Sequence, residues 1–214
     1  SYEYSYCAPT GGLPDQNNHA RERAVFTNSY AVIPHGVMSD IVVSYLPGWD
    51  KTRAWTLARP LSGFAETFAQ LIVEVSPGGG SSDPEPDPMA ECVLFILAGH
   101  VRVTIGARAY ELDPGGYVFV APGDKYTVQN DNDTPATFVW IRKRYEPAPG
   151  IDMPESFVTA DMEKPPIEMP NTSGYWSTSR FVDPHDLRYD FHVNIVTFLP
   201  GGTSPLADTH VREP

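Results

Sequence analysis

The sequence has few cysteines, few positive charges and no long apolar run, and each shortage excludes a class of protein. Cys7 and Cys92 are the only cysteines in 214 residues, too few for a disulfide scaffold, so a cytoplasmic protein is expected. No stretch of about 18 apolar residues exists, which argues against a membrane-spanning helix. Because the formal net charge is -12, a nucleic acid or an anionic membrane would be repelled as a partner.

What the sequence does contain is proline, glycine and short β-type runs. With 22 prolines and 17 glycines, the chain suits a turn-rich β protein better than a helix bundle. A strand-like run at residues 67–75 ends in the turn Pro77-Gly78-Gly79, and six further short runs follow it without a helical period. They are CVLFILAG, HVRVTIG, ARAYEL, GYVFVAP, KYTVQN and ATFVWIRKRY. This even spacing predicts an all-β jelly-roll barrel.

A repeat of the Pro-Gly-Gly turn at Pro200-Gly201-Gly202, again preceded by a strand-like run, predicts a second related barrel. We therefore expect four segments in the chain. They are an N-terminal arm with strands (1–58), a first barrel (59–148), a linker rich in proline and acids (149–188) and the start of a second barrel (189–214).

The first barrel carries a recognisable pattern, Gly116-YVFVA-Pro122-Gly123-DK-Tyr126-TVQ-Asn130. It resembles the second motif of the cupins, jelly-roll barrels in which three histidines and a glutamate hold one divalent metal. The resemblance implies that Tyr126 stands at a histidine position and Cys92 at the glutamate position, and residues 85–88 contain no histidine. We expect a first barrel that has lost its metal ligands, with Cys92 as an inert core residue.

The acidic loop SSDPEPDP leaves one alternative open. Asp83, Glu85 and Asp87 carry carboxylates of the kind that bind hard cations. Because prolines alternate with these acids, a stiff solvated loop is the favoured interpretation.

The second Pro-Gly-Gly turn is followed by Asp208 and His210, two residues apart. On a strand such residues point to the same side, where a carboxylate and an imidazole can share one metal. The alternative is an ordinary surface pair near a chain end. Their matching position after Pro-Gly-Gly favours the metal site.

Several dispersed stretches narrow the resemblance to the ureidoglycine aminohydrolase family of bicupins. They are APTGGLPDQ, RAVFTNSYAVIPHGVMSDIV, AGHVRVTIG, IRKRYEPAPG and DFHVNIVTFLPGG leading into DTHVRE. The resemblance implies a Mn²⁺-dependent hydrolase that converts (S)-ureidoglycine to (S)-ureidoglycolate and ammonia in purine and allantoin catabolism. It also implies Asp208 and His210 as metal ligands. Pro214 stands where the family has its second histidine, so either residues are missing or a truncated chain is inactive; a half-barrel cannot close its sheet edge, which favours missing residues.

His192 and Asn194 fall on one face of the strand-like run YDFHVNIVTF, opposite Phe191, Val193 and Ile195. They are candidates to line the substrate site, although His192 as a hydrogen-bonded core residue remains an alternative.

Two other functions stay open: a metal-free binding or structural bicupin, and a metal-dependent cupin dioxygenase. The expected partners are a small-molecule substrate and further copies of the chain in a homo-oligomer, with the apolar runs of residues 25–46 as an exchanged strand.

Overall fold

The computed structural model describes residues 25–26, 31–33, 42–43, 46–58 and 67–204. Fifteen β-strands and one 3-10 turn at Asp161–Glu163 make up the regular structure of these residues, which confirms the all-β class. In this part of the chain, no helix is long and apolar enough to span a membrane. The strands are β1 (Val25–Phe26), β2 (Ala31–Val32), β3 (Val42–Val43), β4 (Asp50–Ala58), β5 (Phe68–Ser81), β6 (Ala90–Ala98), β7 (Val101–Ile105), β8 (Arg108–Leu112), β9 (Gly116–Val120), β10 (Tyr126–Gln129), β11 (Ala136–Arg144), β12 (Phe157–Ala160), β13 (Ile167–Glu168), β14 (Trp176–Arg180) and β15 (Asn194–Phe198).

Strands β3 to β12 form one antiparallel sheet that curls into the first barrel. The order is β12-β9-β6-β11-β5-β10-β7-β8, with β4 beside β5 and β3 beside β4. Each of the six short runs in the sequence forms one strand, β6 to β11, which confirms the jelly-roll prediction. The predicted segment boundaries stay predictions, but β4 already pairs with β5 along most of its length.

The barrel is packed on both faces of its wall. In β6, Cys92, Leu94 and Ile96 point into the barrel, while Val93 and Phe95 point outward into a second apolar layer. This alternation follows from the two-residue period of a strand. The interior is filled by side chains that include Trp49, Val73, Val75, Phe138 and Trp140, so the first barrel is a core and not an open chamber.

Strand β5 continues past the point where the sequence predicts its end. Pro77 and the three glycines after it remain within the strand, and Gly80 pairs with both Gln129 and Asp50. Glycine makes this possible because Gly78 has φ +69° and because a Cβ on Gly79 would lie 2.7 Å from the Asp50 carbonyl oxygen. The Pro-Gly-Gly sequence therefore bends this strand without ending it.

The predicted linker contains ordered strands. Strand β12 pairs with β9 of the barrel, and β13, β14 and β15 form a separate three-stranded sheet. Strand β14 was not predicted, because its sequence WSTSR lacks a clear apolar alternation. Strand β15 is shorter than the predicted run, since it begins at Asn194.

The three-stranded sheet is joined to the barrel by an aromatic layer. The Tyr117 and Phe181 rings stack with centroids 4.0 Å apart and planes 5° apart. Phe119 contacts Tyr189 edge-on at 5.0 Å, and Phe191, Val193 and Ile195 pack against the same layer. The outer wall of the first barrel thus fixes the segment that leads into β15.

Candidate functional site

In the first barrel, Cys92 and Tyr126 meet at the positions that the resemblance assigns to metal ligands. The Cys92 thiol donates a hydrogen bond to the Tyr126 hydroxyl at 3.2 Å, and both residues are buried. Burial raises the pKa of Cys92 to about 12 and raises the pKa of Tyr126 as well. Both groups therefore stay protonated at neutral pH in this structure. The prediction of Cys92 as a core residue is confirmed, and its lack of reactivity stays a prediction.

The acidic loop supplies this barrel with a carboxylate, and a guanidinium neutralises it. Arg142 Nη2 lies 2.6 Å from Glu85, whose side chain is 7% exposed, and the guanidinium lies 4.8 Å above the Trp140 ring. Asp87 accepts a hydrogen bond from the backbone N–H of Met89. Across the described ranges, no three or more His, Cys, Asp or Glu side chains are arranged to hold a metal. The hard-cation alternative therefore gains no support.

The second motif keeps its structural residues although it has lost its histidine. Asn130 is fully buried, and its side-chain amide donates to the carbonyl oxygens of Val75 and Thr134 at 2.9 and 2.8 Å. This residue ties β5 to the turn before β11, so its role in this barrel is structural.

The sheet β13-β14-β15 repeats the sheet β3-β4-β5. In both sheets, the Pro-Gly-Gly sequence begins two residues after a residue of the last strand that pairs with the middle strand. These pairs are Thr52–Val75 in the first sheet and Trp176–Phe198 in the second. The β3–β4 and β13–β14 hairpins also agree, with Val43 opposite Ala54 and Ile167 opposite Thr178. Likewise, a Cβ on Gly202 would meet the carbonyl oxygen of a neighbouring segment, Tyr175, at 2.8 Å. The second cupin unit is thus recognisable from β13 onward.

This repeat shows which face of the second sheet corresponds to a barrel interior. In the first barrel, Ala54, Val73 and Val75 point inward and are buried. Their counterparts are Thr178, Val196 and Phe198, and the last two are 50% and 45% exposed. Trp176 stacks on Phe198 at 5.5 Å, and its indole nitrogen is buried with no acceptor among the described residues. We call this face, formed by Trp176, Thr178, Arg180, Asn194, Val196 and Phe198, the second-barrel wall.

The two predicted substrate residues lie at one end of the second-barrel wall. Asn194 is exposed and pairs directly with Arg180 of β14. His192 is exposed, precedes β15 and interacts electrostatically with Asp186. Phe191, Val193 and Ile195 face the first barrel, so the two faces alternate as the sequence predicts. A role in substrate binding stays a prediction for both residues.

Asp208 and His210 lie outside the described residues. In sequence, Asp208 follows Gly202 by the same interval that separates Glu85 from Gly79, and His210 then corresponds to Asp87.

A buried cluster that the sequence did not reveal lies where the chain enters β15. Asp190 accepts hydrogen bonds from Lys143 Nζ at 2.5 Å and from the backbone N–H of Glu146 at 2.7 Å. Burial and the neighbouring Asp190 raise the pKa of Glu91 to about 10, so Glu91 is protonated and donates to Asp190. Although burial opposes it, hydrogen bonds from Glu91, Lys143 and Glu146 lower the pKa of Asp190. The sequence does carry one sign of this cluster, because the charged residues Glu91 and Lys143 lie within the apolar runs AECV and IRKRY.

A groove of about 450 Å³ lies between the first barrel and β15. Its lining is mainly apolar and includes Phe95, Leu97, Ile141, Phe181, Val193 and Ile195. Among the described residues, its lining contains no acid, base or metal ligand, and its polar members are Gln70, Asn194 and Thr197.

Comparison with known proteins agrees with the barrel geometry. The Cupin domain family matches residues 71–142, which span β5 to β11. A crystal structure of a glyoxylate-induced protein from Pseudomonas aeruginosa is 53% identical, with a TM-score of 0.84, and the match covers 98% of this chain and 76% of that one.

Two curated relatives extend the comparison. The (S)-ureidoglycine aminohydrolase of Escherichia coli is 23% identical over 204 residues, which cover 92% of this chain and 76% of that protein. The Arabidopsis thaliana enzyme of the same name is 25% identical, and the chain spans 63% of its length. The barrel, its motif and these matches define a cupin. Within the cupins, the chain belongs to the family of the glyoxylate-induced protein and (S)-ureidoglycine aminohydrolase.

Proposed function

We propose that the protein hydrolyses (S)-ureidoglycine to (S)-ureidoglycolate and ammonia, with a Mn²⁺ ion in the second barrel. The reaction breaks the bond between the α-carbon and the amine, and water supplies the hydroxyl group of the product and a proton for the ammonia. The relatives named for this activity suggest the reaction.

The observation that carries the proposal is the contrast between the two repeated sheets. Where the first barrel places Ala54 and Leu71, the second-barrel wall places Thr178 and Asn194. The first barrel is filled by its own side chains, whereas the second-barrel wall carries the exposed Asn194 and the buried Thr178, whose side chains can form hydrogen bonds. This supports the second barrel as the site of chemistry.

Asp208 and His210 would hold the metal. A carboxylate and an imidazole suit a divalent ion such as manganese, and the inward position of Glu85 supports the same for its counterpart Asp208. A bound metal would orient the substrate and polarise the groups around the α-carbon. The chain's own contribution would be to position the substrate along the wall, with Asn194 and His192 at its end.

The proposal is tested by ammonia release from (S)-ureidoglycine with the full-length protein and Mn²⁺. We expect turnover well above the spontaneous rate, and a loss on the order of a hundred-fold or more in the Asp208→Asn variant, since a metal ligand is removed. Asp133→Asn changes an exposed loop acid of the first barrel and serves as the matched control. Turnover by the wild type no faster than the spontaneous reaction would exclude this function.

We further propose that the protein acts on its small-molecule substrate as a homo-oligomer in the cytoplasm. Light scattering of the purified full-length protein measures the mass, and a monomer at micromolar concentration would contradict the oligomer.

A further inference from the structure

Arg180 ends strand β14 on the second-barrel wall. It pairs directly with Asn194, and opposite residues of an antiparallel pair have their side chains on the same face of the sheet. That face points away from the first barrel, because Phe181 and Ile195 occupy the other one. Arg180 is exposed, and in the ranges that the structure describes no carboxylate forms an ion pair with it.

The repeat tells how deep in a barrel this position lies. The counterpart of Arg180 is Thr56, which pairs with Leu71, and Leu71 in turn pairs with Trp140. Trp140 lies next to Cys92 and Tyr126, at the level of the inherited ligand positions. Since paired residues lie side by side across neighbouring strands, the Arg180 position is at this same level, two strand spacings of about 4.8 Å from the Trp140 position.

The charge of the surroundings makes this cation unusual. In the first barrel, Arg142 is neutralised by Glu85. The chain as a whole carries a net charge of -12, so a cation on the wall favours the binding of a small anion there. A guanidinium beside an amide suits a carboxylate, which accepts two parallel hydrogen bonds from the guanidinium.

We propose that Arg180, supported by Asn194, binds the carboxylate group of the substrate in the second barrel. This inference rests on the proposed function and adds the residue that recognises the substrate's charge. It makes Arg180 a determinant of specificity for α-substituted carboxylates over the corresponding neutral amides.

The test compares two stable ligands that differ in charge and hardly in shape, ureidoacetate and ureidoacetamide. Their affinities for the full-length, manganese-loaded protein are measured by calorimetry. We expect Arg180→Gln to weaken ureidoacetate binding on the order of ten-fold to a hundred-fold, because a charged hydrogen-bond pair is lost. Binding of ureidoacetamide should change less than about two-fold, and Arg180→Lys should restore part of the ureidoacetate affinity.

The control variant is Arg108→Gln, which makes the same chemical change at an exposed position of β8 in the first barrel and should leave both affinities unchanged. Equal losses for the two ligands in Arg180→Gln, or no loss for either, would overturn the inference, as would a wild type that binds no ureidoacetate. A wild type that binds ureidoacetate through Arg180 but releases no ammonia from ureidoglycine would refute the proposed function alone.

Discussion

At the scale of single residues, the protonated Glu91 makes the sharpest prediction. Its carboxyl group is 1% exposed and adjoins Asp190, and its pKa is raised to about 10. The folded protein therefore keeps a proton that the unfolded chain releases near its ordinary pKa of 4.5. The free energy of unfolding that this group contributes is fully present below pH 4.5 and falls as the pH rises towards 10.

Glu91→Gln should remove this pH dependence, because glutamine is neutral at every pH and still donates to Asp190. The wild type should lose stability relative to the variant as the pH rises across this window. Melting temperatures measured from pH 5 to 9 check this. If the melting temperatures of the two proteins changed with pH in the same way, Glu91 would be ionised in the folded state.

At the scale of strands, the sequence predicted those parts of the fold in which short β-type runs lie between Gly, Pro and Asp-Asn turns. Strands β6 to β11 satisfy that condition, and the alternating faces around Asn194 were predicted from the two-residue period of a strand. Strand β14 was not predicted, because Ser177 and Ser179 reach buried or half-buried positions through pairing with β13 and β15, which local pattern does not reveal. The sequence also did not reveal that the two three-stranded sheets share one pairing register, because the two units have only the Pro-Gly-Gly turn as a recognisable common motif.

The aromatic layer between the two units should contribute much of their mutual stability. Phe181 is 4% exposed and stacks on Tyr117, so Phe181→Ala should lower the free energy of unfolding by about 3 kcal/mol or more. Leu187→Ala, at a side chain that is 67% exposed, should change it by less than about 0.5 kcal/mol. Denaturant unfolding measures both, and equal effects would mean that the layer does not hold the units together.

At the scale of the whole molecule, the proposed function assigns packing to the first barrel and binding to the second. Metal analysis of the purified protein should then give about one manganese per chain, with Asp208 and His210 as the proposed ligands. Cys92→Ser should keep that metal, because Cys92 lies in the filled barrel. Asp208→Asn should lose it. A protein without metal after gentle purification would support the alternative of a metal-free binding bicupin, and iron in place of manganese would favour the dioxygenase.

The ion pair of Glu85 and Arg142 has a consequence for how such a barrel can change over generations. The first barrel carries its own cation on a side chain, fixed between a carboxylate and the face of Trp140. Returning a histidine at position 126, or a glutamate at position 92, would bring new ligands to a place that is already positively charged. A metal could re-enter only after Arg142 was replaced, and that first step would leave Glu85 buried without a partner. Metal binding in this barrel would thus require more than one substitution.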